Sequence, residues 1–357
     1  MQKKYTVAGM MSGTSLDGLD LTCCEFEFEA GKWIYSILAA DTFPYSAEWK
    51  AKLADLENQS ALAYAQANAD LGELMGTRLK EFLATNKLEV DFAASHGHTV
   101  FHQPEKKLTT QIGSGAAIAA ASGTTTICDF RTLDVALGGQ GAPLVPIGDE
   151  LLFAQYDACL NLGGIANVSF QKDGKMIAGD TSACNMILNH LAGKKGLEYD
   201  DKGLLARSGT LENALFDQLN ALPYFQEPFP KSLGKEWVLE HIFPLMENST
   251  SPLANLACTF VHHIAFQLSE AFSKAGFDGK NLIATGGGTF NEFLVEKLQT
   301  YNPNIKVELP DPQTINYKEA LIFAFLGVLR WRNETNCLSS VTGASHDNCG
   351  GAIYWAK

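Results

Sequence analysis

The sequence has few basic residues for its length. Among 357 residues, Lys and Arg total 27 against 40 Asp and Glu, which gives a formal net charge of −13. Binding to a nucleic-acid backbone depends on Lys and Arg that neutralise several phosphates at once. No basic stretch of that kind is present, so we expect no nucleic-acid partner.

Long apolar runs are also missing. The longest, 320–329, is about half of the roughly 20 residues that a bilayer-spanning helix needs, and no apolar signal segment follows Met1. The 8 cysteines form no C-x-x-C pair, which favours reduced thiols in a cytoplasm over disulfides. We therefore expect no membrane association and no secretion.

The composition and the order of predicted elements indicate a large α/β protein. A hydrophobic fraction of 46% is enough for a sizeable core, and the length favours two domains. The first half reads β-β-β-α-β-α-β, and Ser46 is a suitable N-cap for its first helical segment. Its strands are predicted at 5–11, 19–28, 33–43, 90–95 and 124–130, with helical spacing over 46–86 and small residues over 112–122.

The second half repeats this order without repeating residue identities. Asp173-Gly174 is typical of a hairpin turn. Strands are predicted at 158–162, 168–171, 175–179 and 281–285, and helices at 185–191, 204–220, 253–275 and 317–332. We expect domains at 1–125 with 335–357 and at 126–334. The Gly- and Pro-rich stretch 137–146 is expected to be a hinge or a loop that faces a ligand.

Three glycine loops follow predicted strands, at 9–18, 162–167 and 285–288, whereas the P-loop and Rossmann fingerprints are absent. In the first loop, Gly13 and Gly18 can take positive φ, so that backbone N–H groups converge on one concavity. The hydroxyls of Ser12, Thr14 and Ser15 would be further phosphate donors. Taken singly, such a loop is equally typical of an ordinary hairpin turn, but three of them favour a nucleotide site.

Two carboxylates flank the first glycine loop. Asp17 and Asp20 are suited to hold a hydrated Mg²⁺ beside phosphates, because Mg²⁺ keeps several waters and needs only one or two carboxylates. Asp17 is the metal candidate. Zinc at His96, His98 and His102 is the less favoured alternative, since no cysteine or fourth ligand lies nearby.

Long stretches of the sequence match the motifs of one enzyme family. The most specific are the run Gly9–Asp20 and the run from Asp129 to Pro146. Shorter matches are 95–97, 161–167, 223–225, 230–232 with 234–236, 286–288 with Asn291, and 341–344. Asp180, Thr181 and Asn185 also match, although Ser182-Ala183-Cys184 replaces the family's Gly-Pro-Gly. Together these residues resemble the anhydro-N-acetylmuramic acid kinase family of the hexokinase, actin and Hsp70 superfamily.

The resemblance implies two similar ribonuclease H-like halves of the actin and hexokinase type, with a nucleotide and sugar cleft between them. It implies an ATP-dependent kinase that opens 1,6-anhydro-N-acetylmuramic acid with water and phosphorylates O6. The products are N-acetylmuramic acid 6-phosphate and ADP, in the recycling of cell-wall sugars in a bacterial cytoplasm. ATP and Mg²⁺ are the implied cofactors, a small sugar is the implied partner, and a homodimer is left open.

The resemblance also assigns roles to individual residues. Asp180 is the catalytic base. The nucleotide-binding residues are Gly9, Met10, Met11, Ser12, Gly13, Thr14, Ser15, Leu16, Gly163, Gly164, Gly286, Gly287 and Gly288. The sugar-binding residues are Ser12, His96, Arg131, Asp134 and Glu319.

Two of the sugar assignments have structural alternatives. The planar fork of Arg131 suits the lactyl carboxylate of the sugar, but an ion pair with Asp134 would also explain both residues. For Glu319, a plain helix N-terminal carboxylate is the less favoured alternative.

Three other functions remain open at the level of the sequence. They are a kinase of ordinary reducing sugars on the same fold, an inactive paralogue that binds ATP, and an ATP-driven clamp like Hsp70. The clamp is disfavoured because no residues are left over for a partner-binding domain.

Overall fold

The computed structural model describes residues 4–13 and 16–356, and these form two compact units. The first unit comprises Met1–Leu152 with Tyr317–Lys357, and the second is Phe153–Asn316. The strands are β1 (Lys4–Ser12), β2 (Gly18–Glu29), β3 (Lys32–Pro44), β4 (Phe92–Gln103), β5 (Leu108–Ile112), β6 (Thr126–Cys128), β7 (Ala158–Leu162), β8 (Ile165–Lys172), β9 (Lys175–Ala183), β10 (Asn281–Thr285), β11 (Lys306–Glu308) and β12 (Ala352–Tyr354).

The α-helices follow the same chain order. They are α1 (Ala47–Ala54), α2 (Ala61–Asn86), α3 (Gly115–Ser122), α4 (Thr132–Ala136), α5 (Val145–Leu152), α6 (Asn185–Gly193), α7 (Leu204–Arg207), α8 (Asn213–Asn220), α9 (Pro223–Gln226), α10 (Lys235–His241), α11 (Phe243–Glu247), α12 (Leu253–Ala275), α13 (Glu292–Tyr301), α14 (Pro312–Trp331) and α15 (Ser339–Thr342). Short 3₁₀ turns lie at Leu56–Asn58, Pro104–Lys106, Asp201–Gly203 and Gly287–Phe290.

The first unit is built on a sheet in the order β12-β6-β4-β1-β2-β3, with β5 paired to β4. β1, β2 and β3 form an antiparallel meander, and β4 and β6 run parallel to β1. Alternation along β1 gives the sheet two apolar faces. Met10 belongs to a core with Leu71 and Met75 of α2, whereas Gly9 faces Ala320 of α14.

The second unit has a sheet in the order β11-β10-β7-β8-β9. β7, β8 and β9 again form an antiparallel meander, and β10 and β11 run parallel to β7. The main core of this unit joins Leu160 and Phe170 of the sheet to Phe260 and Ile264 of α12. Each unit therefore starts with three antiparallel strands and adds two parallel ones beside the first strand. This confirms the predicted α/β class and the repeated element order.

The unit boundaries differ from the expected ones at 126 and 335. β6 pairs with β4, so the chain after residue 125 is still part of the first sheet. The later part of α14 also packs on this sheet, where Phe325 lies 5.4 Å from Phe26 between ring centroids. The C-terminal strand β12 pairs with β6, which confirms that the tail returns to the first unit.

Local signals account for several element ends. Ser46 caps α1 by accepting a hydrogen bond from the N–H of Trp49, and Asp173 and Gly174 both have positive φ in the predicted hairpin. The sequence reasoning missed β5 and treated 204–220 as one helix. Arg207 ends α7, and the chain between α7 and α8 passes close to α12, where a Cβ on Gly209 would lie 2.1 Å from the carbonyl oxygen of Ala254.

Within residues 4–13 and 16–356, no helix combines the length and the apolar character that crossing a bilayer would require.

Candidate active site

The first glycine loop starts later than predicted. Gly9, Met10 and Met11 lie inside β1 and pair with β2, and Met10 is fully buried. A Cβ on Gly9 would lie 2.0 Å from the carbonyl oxygen of Ala320. Gly9 is therefore required for the close approach of α14, and the nucleotide-binding role predicted for Gly9 and Met10 does not fit their positions.

Just before β2, Leu16 has a left-handed backbone, and Gly18 does not have the positive φ that we expected. Leu16 has φ 62°, and its N–H donates to the carbonyl of Gly13 at 3.3 Å. Gly18 instead allows β3 to approach, because its Cβ would lie 2.5 Å from the carbonyl oxygen of Phe43. The predicted phosphate donors Thr14 and Ser15 lie outside the described residues.

Ser12 is fixed by two buried neighbours. The hydroxyl of Tyr45 donates to Ser12 Oγ at 2.8 Å, and Ser12 Oγ lies 3.0 Å from His98 Nδ1. Burial lowers the pKa of His98 to about 4, so the ring is neutral near pH 7. Burial also raises the pKa of Tyr45 to about 12. Ser12 is therefore held in one rotamer at the end of β1.

The carboxylates beside this loop differ in their surroundings. Asp17 is exposed, whereas Asp20 accepts a hydrogen bond from Thr42 at 2.6 Å, and Thr42 is linked to Tyr317 at 3.3 Å. Burial and the charge of Asp17 raise the pKa of Asp20. No cluster of three metal-binding side chains occurs in the described residues. One exposed and one half-buried carboxylate still fit a hydrated Mg²⁺.

Arg131 is held by His96 and by the Gly- and Pro-rich loop. Its Nε donates to His96 Nε2 at 3.0 Å, and its Nη1 donates to the carbonyl of Gly141 at 2.6 Å. Because a guanidinium N–H can only donate, His96 must carry its proton on Nδ1, which donates to the carbonyl of Gly97 at 2.9 Å. Burial and the Arg131 charge hold the pKa of His96 well below its usual range. Both ring nitrogens are therefore used, and the sugar-donor role predicted for His96 does not fit.

Arg131 keeps further donors on Nη1 and Nη2. Burial lowers its pKa to about 10, against the opposing effect of Glu319, so the guanidinium is charged at neutral pH.

Asp134 is a fully buried hydrogen-bond hub. Its Oδ1 accepts from Cys337, Thr342 and Asn348, at 3.0, 2.9 and 2.9 Å. Its Oδ2 accepts from the N–H of Gly141 at 2.8 Å. No ion pair between Asp134 and Arg131 forms among the described residues. Asp134 thus ties the loop to the C-terminal segment, and the predicted direct contact with a sugar does not fit a side chain with this many partners.

Glu319 lies on α14 and is accessible to solvent. Loss of hydration in its crowded surroundings raises its pKa, and Arg131 opposes this shift. Glu319 follows Ile315 and Lys318 within the helix, so it is not an N-terminal cap. The adjacent Lys318 forms a buried ion pair with Asp149 of α5 at 2.7 Å, which anchors this part of the helix.

In the second unit, the other two glycine loops meet at the carboxyl ends of β7 and β10, which are parallel neighbours. A Cβ on Gly288 would lie 2.7 Å from that of Leu162, and Asn185 Nδ2 donates to the carbonyl of Leu162 at 2.9 Å. A Cβ on Gly164, in contrast, would meet no atom of the described residues within 4 Å. The space beside Gly164 is open to a ligand.

These loops are anchored by the first turn of α6. The carbonyl of Gly164 accepts from the N–H groups of Cys184 and Met186, and that of Gly163 accepts from Asn185. Gly286 has φ 83° and, like Gly288, packs on Leu162, whereas Gly287 has room around it. Ser182-Ala183-Cys184, which replaces the glycine-rich family pattern, is buried and continues β9 into α6.

Asp180 lies near the end of β9 and is half-buried. Its Oδ2 accepts one hydrogen bond, from the N–H of Leu233 at 2.8 Å, and within the described residues its Oδ1 has no hydrogen-bond donor. Burial raises the pKa of Asp180 to about 6, although the Leu233 N–H acts in the opposite direction. A carboxylate with one oxygen fixed and the other available can accept a proton from water.

Sequence reasoning missed the residues that support these groups. Tyr45, Thr42 and Tyr317 are widely separated along the chain, and no local pattern connects them with the glycine loop. Leu233 adjoins the matched stretch Pro230-Lys231-Ser232, so the sequence does draw attention to this region. Its contact uses the backbone N–H, however, and the type of side chain does not indicate which backbone groups bind.

The chain is similar to known proteins over nearly its whole length. The family model "Anhydro-N-acetylmuramic acid kinase" matches residues 5–356. The anhydro-N-acetylmuramic acid kinase of Aliivibrio fischeri is 35% identical, over 98% of this chain and 99% of that protein. The one of Sulfurimonas denitrificans is 33% identical, over 97% of this chain and 98% of that protein. Among solved structures, xylulose kinase from Rhodospirillum rubrum has a TM-score of 0.46, at 11% identity over 92% of this chain and 90% of that chain.

Five strands of each sheet share one order, with a glycine loop after the first strand, and this defines an α/β protein of duplicated architecture. The family model matches nearly the whole chain, and relatives above 30% identity cover almost all of it. These two matches identify the family. The chain belongs to the anhydro-N-acetylmuramic acid kinase family.

Proposed function

We propose that this protein uses ATP and water to convert 1,6-anhydro-N-acetylmuramic acid to N-acetylmuramic acid 6-phosphate and ADP. The substrate class follows from the family. The observation that supports the chemistry most directly is the Asp180 carboxylate, which one backbone N–H fixes while its other oxygen stays available.

Asp180 is the proposed general base. A water oxygen attacks C1 of the sugar and transfers a proton to Oδ1 of Asp180, while the bond between C1 and O6 breaks. O6 takes up the γ-phosphoryl group, and the bond from that phosphorus to the bridging oxygen of ADP breaks. With its pKa raised to about 6, Asp180 is ionised at neutral pH and is still basic enough to accept a proton.

Phosphate binding is assigned to three backbone regions. They are the loop after β1, the Gly163-Gly164 turn and Gly286–Gly288. The open space at Gly164 and the fixed hydroxyl of Ser12 support this assignment. Mg²⁺, when bound, would neutralise charge on the phosphates, with Asp17 as its protein ligand and Asp20 beside it.

Recognition of the sugar is assigned to Arg131 and Glu319, together with Ser12. Arg131 remains charged and has unused donors, which suits a bidentate pair with the lactyl carboxylate. Glu319 is accessible and can accept hydrogen bonds from sugar hydroxyls. His96 and Asp134 support Arg131 and its loop from behind.

The test compares turnover of three substrates by the purified protein with Mg-ATP. We expect ADP release and a 6-phosphate product with the anhydro sugar, incorporation of ¹⁸O from labelled water at C1, and little turnover of N-acetylmuramic acid or glucose. Faster turnover of the free sugars would instead support an ordinary sugar kinase. Binding of ATP without turnover of any sugar would support an inactive paralogue. The activity would serve cell-wall sugar recycling in the cytoplasm.

A further inference from the structure

The backbone around Asp180 lies at an open edge of the second sheet. β9 is the last strand in the order β11-β10-β7-β8-β9, so one of its sides has no neighbouring strand from residues 4–13 and 16–356. Opposite Asp180, the register with β8 shifts between Ala166 and Asn167. A strand end that is bulged and unpaired on one side needs other partners for its backbone groups.

One segment supplies these partners for Asp180. The N–H of Asp180 donates to the carbonyl of Lys231 at 2.7 Å, and its carbonyl accepts from the hydroxyl of Tyr224 at 2.8 Å. The N–H of Leu233 binds the carboxylate. We name residues 224–233 the clamp segment. It holds the backbone N–H and the backbone carbonyl of Asp180, and also one of its carboxylate oxygens.

The clamp segment is also tied to itself. Lys231 Nζ donates to the carbonyl of Tyr224 and lies 4.3 Å from the centre of the Tyr224 ring. The ring of Tyr224 packs on Trp237, with 5.3 Å between centroids. The two ends of the segment therefore hold one another in place around Asp180.

Gly179 is what allows the clamp segment to lie so close. A Cβ at this position would lie 2.8 Å from the ring of Phe229 and 2.9 Å from both the nitrogen and the carbonyl oxygen of Lys231. Contacts this short with backbone atoms cannot be relieved by a rotamer change, so any side chain at 179 must push the segment away.

We propose that Tyr224, through its hydroxyl, and Gly179, through its lack of a side chain, are positioning residues that hold Asp180 in its reactive geometry. The inference rests on the proposed role of Asp180 as the base. The titratable groups of the clamp segment are Tyr224, Glu227 and Lys231, and Lys274 of α12 donates to the carbonyl of Phe225. Burial raises the pKa of Tyr224 and lowers that of Lys231 to about 8. Tyr224 and Lys231 therefore titrate at higher pH than the acid limb that Asp180 would produce in the pH profile of kcat.

The experiment measures kcat, the KM for ATP and the pH profile of Tyr224→Phe and Gly179→Ala. We expect each to lower kcat roughly tenfold, within the range of general-base effects, with an unchanged KM for ATP. We also expect the acid limb of kcat to move to lower pH, because water reaches a loosened carboxylate. Tyr224→Phe keeps the ring packing, so it tests the hydroxyl alone.

Two matched variants serve as controls. Tyr301→Phe removes a hydroxyl in the same unit that lies 3.0 Å from His262 Nδ1. Gly193→Ala adds a Cβ where nothing lies within 4 Å. Both should keep the kcat and the pH profile of the wild type.

The outcomes separate the inference from the proposed function. The inference is overturned if Tyr224→Phe and Gly179→Ala both keep the wild-type kcat and acid limb while Asp180→Asn abolishes turnover. The assignment of Asp180 as the base would then stand. A lower kcat with an unmoved acid limb and a raised KM for ATP would show a merely structural role and also overturn it. Wild-type turnover by Asp180→Asn would overturn both.

Discussion

The first hairpin of each sheet carries a glycine loop, but the two loops use glycine for different purposes. In the first unit, Gly9 and Gly18 admit the backbones of α14 and β3, and a Cβ on either would overlap them. In the second unit, Gly164 has free space around it, while its carbonyl accepts N–H groups of α6. The first hairpins of a repeated topology thus contain glycines that serve packing, within the strands of one unit, and a glycine that leaves room for a ligand, in the turn of the other.

The polar side chains of the two units differ in a related way. In the first unit, Ser12, His96 and Asp134 are each held by at least two partners. In the second unit, Asp180 is held through one carboxylate oxygen. Fully engaged groups such as His96 and Asp134 can position Arg131 and its loop, whereas a base needs an unengaged oxygen.

We expect the largest effect on kcat from a change at Asp180, which has fewer hydrogen-bond partners than the groups of the first unit. Asp180→Asn keeps the shape and the Leu233 contact but cannot accept the proton, so we expect kcat to fall by roughly 10³-fold or more while ATP still binds. Steady-state turnover and nucleotide-binding calorimetry measure the two properties. The control is Asp278→Asn, at a position of the same unit that lies outside the site. Turnover of Asp180→Asn near that of the control would contradict the assignment.

The next effect concerns a packing glycine. Gly9→Ala places a Cβ 2.0 Å from the carbonyl oxygen of Ala320, and we expect it to lower the free energy of unfolding by about 3 kcal/mol or more. Chemical denaturation followed by circular dichroism is the measurement. A variant as stable as the wild type would show that α14 can move away from β1 at little cost.

A smaller effect is expected at the ligand-facing glycine. Gly164→Ala has space for its methyl group, so its melting temperature should match that of the wild type. The methyl group would occupy space assigned to phosphate, and we expect the KM for ATP to rise roughly tenfold. An unchanged KM for ATP would mean that the two glycine loops do not differ in this way.

The smallest effect is on stability and depends on pH. Because the pKa of Asp180 is raised to about 6 in the folded protein, its ionisation destabilises the fold. This cost is absent below about pH 4 and complete above about pH 6. Asp180→Asn removes it, so we expect the melting temperature to rise by about 2–4 °C near pH 8 and to be unchanged near pH 4. An equal shift at both pH values would point to a cause other than ionisation.

Much of the fold could be predicted from local patterns. The alternation of β2, the capping by Ser46 and the length of α12 are all readable in the sequence, and the structure has them. β5 was missed because its Thr-rich sequence has little apolar alternation. The boundaries of the units depend on which strands pair, and strand pairing between distant segments has no local signal.

The site could be predicted by residue type but not by role. The glycines, Asp180 and Arg131 are prominent in the matched motifs. That His96 and Asp134 are fully engaged cannot be read from residue type, since it depends on side chains and backbone groups that folding brings together. The same holds for Leu233, because only its contact with Asp180 reveals its part in the site.

The pairing of β12 with β6 has a consequence for synthesis of the chain. The second unit is continuous, so all of its strands are available before residue 317 leaves the ribosome. The first unit must wait, because the edge of its sheet is completed only by Ala352–Tyr354. The second unit can thus be complete during translation before the first unit, whose sheet gains its edge strand only when β12 has been made.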